Sequence, residues 1–144
     1  MQRIVVIFCL FVYLSLAQTM FTFSKFGLEP EGLDYSRKHG FLVGSVGLGV
    51  LHKIGLDGSV ETFSETGNLV SSIGIQVDEA NDLIYVTNNH TPFPPTTPEA
   101  SIVVVDLDDG SIVSEISVSE LGPAGAVKFL NDLDSSIRLS TYIY

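Results

Sequence analysis

The chain has 144 residues, 45% of them hydrophobic and 17% charged, which is room for one domain and too apolar for a disordered segment. Seven basic against 17 acidic residues give a net charge of −10, which speaks against a nucleic-acid backbone as partner. A single cysteine excludes a disulfide scaffold and a paired-cysteine zinc site.

The first element in chain order is an address. Met1-Gln2-Arg3 is a short positive start, 4–14 is an unbroken apolar run, and Ser15-Leu16-Ala17 puts small residues at −3 and −1. This is the layout of a secretory signal peptide over 1–17, and it makes the expected location extracellular. The run is well short of the roughly 20 residues of a membrane span, so none is expected after cleavage. Cys9 leaves with the leader, so the mature chain, 18–144, must be held by its core or by a metal. Asn89-His90-Thr91 is an N-x-T sequon, and it makes Asn89 a candidate glycosylation site on this route.

The mature chain shows no sustained helical period. Short apolar runs divided by Gly, Asp and Asn predict strands over 32–35, 41–45, 50–54, 60–63, 73–77, 83–87, 101–107 and 112–118. Asp57-Gly58 and Asp109-Gly110 predict tight hairpins with positive φ at both central residues. The proline-rich stretch 91–100 reads as a loop between strands, because proline cannot donate to a ladder.

Two segments match each other in order. Glu31-Gly32-Leu33-Asp34-Tyr35, Phe41-Leu42-Val43-Gly44-Ser45 and Leu56-Asp57-Gly58-Ser59 form the first. Ile73-Gly74-Ile75-Gln76-Val77, Ile84-Tyr85-Val86-Thr87-Asn88 and Asp108-Asp109-Gly110-Ser111 form the second, and Asn131-Asp132-Leu133-Asp134 opens a third. Each is a four-strand meander, and about 40 to 50 residues per such unit is the β-propeller period. The expected fold is therefore all-β, a partial β-propeller of about two and a half four-stranded antiparallel blades. A β-sandwich is the rival, but it does not require the same turn chemistry at the same place in each unit.

Pro30-Glu31-Gly32-Leu33-Asp34-Tyr35 with Phe41-Leu42-Val43-Gly44-Ser45-Val46 resembles the first blade of the gluconolactonase-like (regucalcin, or senescence-marker) family of six-bladed propellers. Leu83-Ile84-Tyr85-Val86-Thr87-Asn88 looks like a further blade, and Phe129-Leu130-Asn131-Asp132 is similar to the family's aromatic-x-Asn-Asp motif. The resemblance implies a divalent metal, calcium foremost, in a central channel, and a small lactone or ester as substrate. The metal would polarise the carbonyl while an acidic residue activates water. Residue by residue, Glu31 matches the first metal ligand, and Asn131 matches the Asn at the metal or its substrate. Two ligands are too few for calcium, which takes about six to eight oxygens, so the others are expected in later blades.

The tail departs from the family pattern. After Asp134 the chain runs Ser135-Ser136-Ile137-Arg138-Leu139-Ser140 without the expected Gly-Asn turn. The chain is thus expected to be an N-terminal portion, inactive alone, through natural or gene-model truncation. The alternative is a non-catalytic secreted propeller fragment that binds a ligand or partner chain, with self-association through an open blade edge. Asp106-Leu107-Asp108-Asp109-Gly110 lacks EF-hand spacing, and Gly44-Ser45-Val46-Gly47-Leu48-Gly49 is no phosphate loop, since no helix follows. His39, His52 and His90 lack metal-ligand spacing and read as surface or loop residues. No Ser–His–Asp set is legible, because a triad is a matter of geometry.

Overall fold

The structure, a computed structural model, describes residues 23, 25–64, 67, 69–91, 96–118 and 120–134. The expected leader over 1–17 and the divergent tail from Ser135 lie outside them. The described chain is all-β and carries no helix. Its strands are β1 (Pro30–Ser36), β2 (Gly40–Ser45), β3 (His52–Ile54), β4 (Val60–Thr62), β5 (Ser72–Asp78), β6 (Leu83–Asn89), β7 (Ala100–Asp106) and β8 (Ile112–Ser117). They form two antiparallel four-stranded sheets, β1-β2-β3-β4 and β5-β6-β7-β8, with every strand beside its neighbour in sequence.

Alternation of side chains builds the core between the sheets. Leu42 and Leu51 come from the first sheet, and Ile75, Val77, Ile84, Val86, Val103 and Val105 from the second. Each such side chain, fully buried, contributes on the order of 1.5–3 kcal/mol by leaving water. The next residue along β2, Val43, points the other way and packs with Leu28, Ile54, Phe23, Phe41 and Val60. The first sheet is therefore covered on both faces, which simple alternation with a polar outer face would not predict.

The sheets meet through polar bonds as well. The Asp34 carboxylate accepts from the open edge of β5, from Val77 N at 2.7 Å and from Gln76 Nε2 at 3.1 Å. Ser72 Oγ accepts from Ser45 N at 2.9 Å and donates to Ser45 O at 3.1 Å. Both are buried, so these bonds satisfy groups that would otherwise be costly. At the far end Arg37 N donates to Glu79 Oε1 at 2.7 Å, and the two side chains pair at 3.4 Å.

Two sequence expectations are corrected. In the hairpins only the glycine takes positive φ, Gly58 at 83° and Gly110 at 78°. The preceding aspartates act through their side chains instead: Asp57 Oδ1 accepts from Ser59 N at 3.0 Å, and Asp109 Oδ1 from Ser111 N at 2.9 Å. Bonds to the Ser59 side chain and backbone hold Asp57 below the usual carboxylate range, and Ser111 does the same for Asp109. These are longer loops closed by a glycine and an Asx turn, not two-residue hairpins. The second correction is His52. It is fully buried in β3, because Phe23, Lys25 and Leu28 lie over the outer face of the first sheet.

Candidate functional site

The site starts from a fault repeated in both sheets. The β1–β2 register slips between Glu31 and Leu33, and the β5–β6 register slips between Ser72 and Ile75. Such a bulge re-aims the side chain beside it. Glu31 sits at the first bulge and Ile73 at the second. The glycine that follows each one lets the next segment approach. A Cβ on Gly32, at φ 56°, would collide with the carbonyl oxygen of Ile73. A Cβ on Gly74 would lie 2.8 Å from the Asp132 Cα and 3.1 Å from the Asn131 carbonyl oxygen. Glu31, Ile73 and Asn131 are thus stacked in the same relation, one unit after another.

Glu31 and Asn131 line one cavity of about 490 Å³, with Glu29, Val46, Ile73 and Phe129. A neighbouring cavity of about 190 Å³ shares Glu31, Ile73 and Asn131 and adds Asp132. The two candidate site residues, a hundred positions apart, are therefore brought together, with the buried Ile73 between them. Glu31 and Asn131 themselves are exposed. The third candidate, Asn89, is not an open loop residue. It ends β6, is 2% exposed, and bonds the backbone of Leu130.

Sequence reasoning passed over two features. Glu29 is a second carboxylate on the cavity wall, and it holds φ at 35° although it is not glycine. Its carbonyl accepts from Val46 N at 3.2 Å, which helps to hold that strained backbone. The Glu29-Pro30-Glu31 pattern was visible, but positive φ just before a proline has no sequence signal. The second feature is a Ser–His–Glu set. His90 Nε2 lies 2.9 Å from Ser101 Oγ and 3.0 Å from Glu115 Oε1. Both partners share one ring nitrogen, whereas a relay needs serine on one and carboxylate on the other. Ser101 is also buried, so the set ties together the ends of β6, β7 and β8 and does not form a nucleophile.

The cavity offers two carboxylates and one amide oxygen. Among the described residues no three His, Cys, Asp or Glu converge on a possible metal position. That falls short of the about six to eight oxygens of calcium. These residues alone do not make a calcium site. Among the described residues, no helix is long and apolar enough to cross a membrane. Comparison with protein-family models, with curated proteins and with solved structures finds no match.

Proposed function

We propose that the chain is the N-terminal portion of a secreted, gluconolactonase-like six-bladed β-propeller whose complete ring hydrolyses lactones or esters with a divalent metal, calcium foremost. The observation that carries this reading is the convergence on one cavity of Glu31, from the first sheet, and Asn131, from the segment that follows the second sheet. The uncrossed order of each sheet also supports it, since a propeller blade is such a meander. In the complete ring Glu31 is a metal ligand, Asn131 holds the metal or the substrate, and further units supply the remaining oxygens. The chain alone is inactive on this reading.

Manganese serves as a paramagnetic probe of the site in the full chain. Amide signals of Glu31, Ile73 and Asn131 should broaden first on titration, and Glu31→Gln should abolish the effect. Broadening confined to the acidic hairpins at Asp57 and Asp109, or unchanged by the substitution, overturns the reading. The second reading is a non-catalytic propeller fragment that binds a ligand or partner chain. It is favoured by Leu33 and Tyr35, 61% and 53% exposed on β1, an edge strand of the first sheet.

A further inference from the structure

We propose that Asn89 is the positioning residue of this cavity: its side-chain amide clamps the backbone of Leu130 and so holds Asn131 on the wall that Glu31 also lines. The inference rests on reading Glu31 and Asn131 as one site. Asn89 Oδ1 accepts from Leu130 N at 2.9 Å, and Asn89 Nδ2 donates to Leu130 O at 3.0 Å. A primary amide presents an oxygen and a hydrogen along one edge. That edge matches the N–H and C=O of a single extended residue. The bonds matter because 126–134 lies in neither sheet, and buried backbone groups need partners. Leu130 is the residue immediately before Asn131. On the other side of Asn131, Gly74 leaves room for the chain, since a Cβ there would lie 2.8 Å from the Asp132 Cα. Clamp and close approach together fix the asparagine.

The junction between the first two units has a counterpart at the same place. There Ser72, immediately before Ile73, spans the N and O of Ser45 with one hydroxyl. At the next junction the direction is reversed: the outgoing strand provides the side chain and the incoming segment the backbone. In both cases one buried side chain takes both main-chain groups of one residue, just ahead of the residue that reaches the cavity.

The clamp also decides the chemistry of the sequon. In N-glycosylation Nδ2 loses a proton and bonds the anomeric carbon of a sugar, and the lipid-pyrophosphate carrier leaves. The product is a secondary amide, planar and trans, with the sugar on the side of the oxygen. That is the side from which the hydrogen reaches Leu130. A glycan on Asn89 and the clamp exclude each other, so the chain folded in this way carries Asn89 unmodified.

The test uses the labelled full chain with Asn89→Ala and Asn89→Asp. At neutral pH Asn89→Ala should exchange the Leu130 amide about tenfold faster or more, the scale of a lost buried bond. Asn89→Asp should do so too, because its carboxylate, with no donor for the Leu130 carbonyl, repels that oxygen. The contact between the α-protons of Gly74 and Asp132 should weaken, and manganese should cease to broaden Asn131 while still broadening Glu31. Ile84 and Val86 should keep their protection, which shows that the second sheet is intact. In Asn89→Asp, acid should restore Leu130 protection, because a protonated carboxyl again offers one donor and one acceptor; a residue that only fills space would show no such recovery. Unchanged Leu130 exchange and an unchanged Gly74–Asp132 contact in both variants overturn the clamp, as does a glycan on Asn89 in chain that still protects Leu130. If manganese broadens neither Glu31 nor Asn131 in the unmodified chain, the shared site falls, and the clamp is still judged on Leu130.

Discussion

His52 lies under Phe23, Lys25 and Leu28 with neither ring nitrogen hydrogen-bonded in the protein. Burial first, and the positive charge of Lys25 second, push its pKa down to about 4. The imidazole is therefore neutral in the fold, while in the unfolded chain it takes a proton near 6.5. The sign follows: stability is full above about pH 6.5 and is lost as pH falls from there towards 4. The whole shift corresponds to about 3 kcal/mol, and the shallow position just under the surface lowers the effect to about 2 kcal/mol. Urea unfolding between pH 7.5 and 5 should show this slope. His52→Leu should flatten it and raise the midpoint, because it removes two unsatisfied nitrogens at similar volume. An unchanged slope would mean that the ring is solvated.

At the scale of elements, Gly32 and Gly74 are where neighbouring segments approach closely. Gly74→Ala should loosen 126–134 while leaving β5 to β8 intact, at a cost of about 1–3 kcal/mol for that local docking. Limited proteolysis should then cut near Leu130 before it cuts the sheets. Gly32→Ala should do more damage, since it adds an unfavourable φ to a collision between the two sheets. The strands themselves were legible, because runs such as Ile73-Gly74-Ile75-Gln76-Val77 end at turn residues and the observed β5 extends the reading by one residue at each end. The equivalence of Glu31, Ile73 and Asn131 was legible too, since it follows from repeated turn chemistry. Three things were not. Asp57-Gly58 has the composition of a two-residue turn, and its loop length decides otherwise. His52 looked exposed because nothing in a three-residue strand announces a segment lying over it. The buried bonds of Asn89 had no sign in the sequence, because its partner, Leu130, is 41 residues away.

For the whole molecule, the open surfaces set the behaviour in solution. β8 is an edge strand with Val113 and Ile116 exposed, and β1 presents Leu33 and Tyr35. Net charge of −10 opposes association at low salt, and salt screens it. Sedimentation should therefore show a weight that rises with concentration at about 0.15 M salt. Ile116→Lys should suppress this, since an edge lysine discourages strand pairing. A monodisperse monomer across the whole range would count against both open surfaces as contacts.

The uncrossed strand order has a further consequence, for the sequence of events during synthesis. Among the described residues every hydrogen-bonded strand pair joins neighbours in the chain, so β1 to β4 have these ladder partners before β5 is made. Short-range pairing of this kind is fast, because little loop entropy is lost before the contacts form. Yet Leu42 and Leu51 then face water until Val77, Ile84 and Val86 arrive. The first sheet spends that interval with an apolar face and the Asp34 carboxylate both unmatched. The most vulnerable moment in the life of this protein is thus set by the translation time of the second sheet, and slowing the ribosome between residues 64 and 118 should raise the yield of aggregated chain.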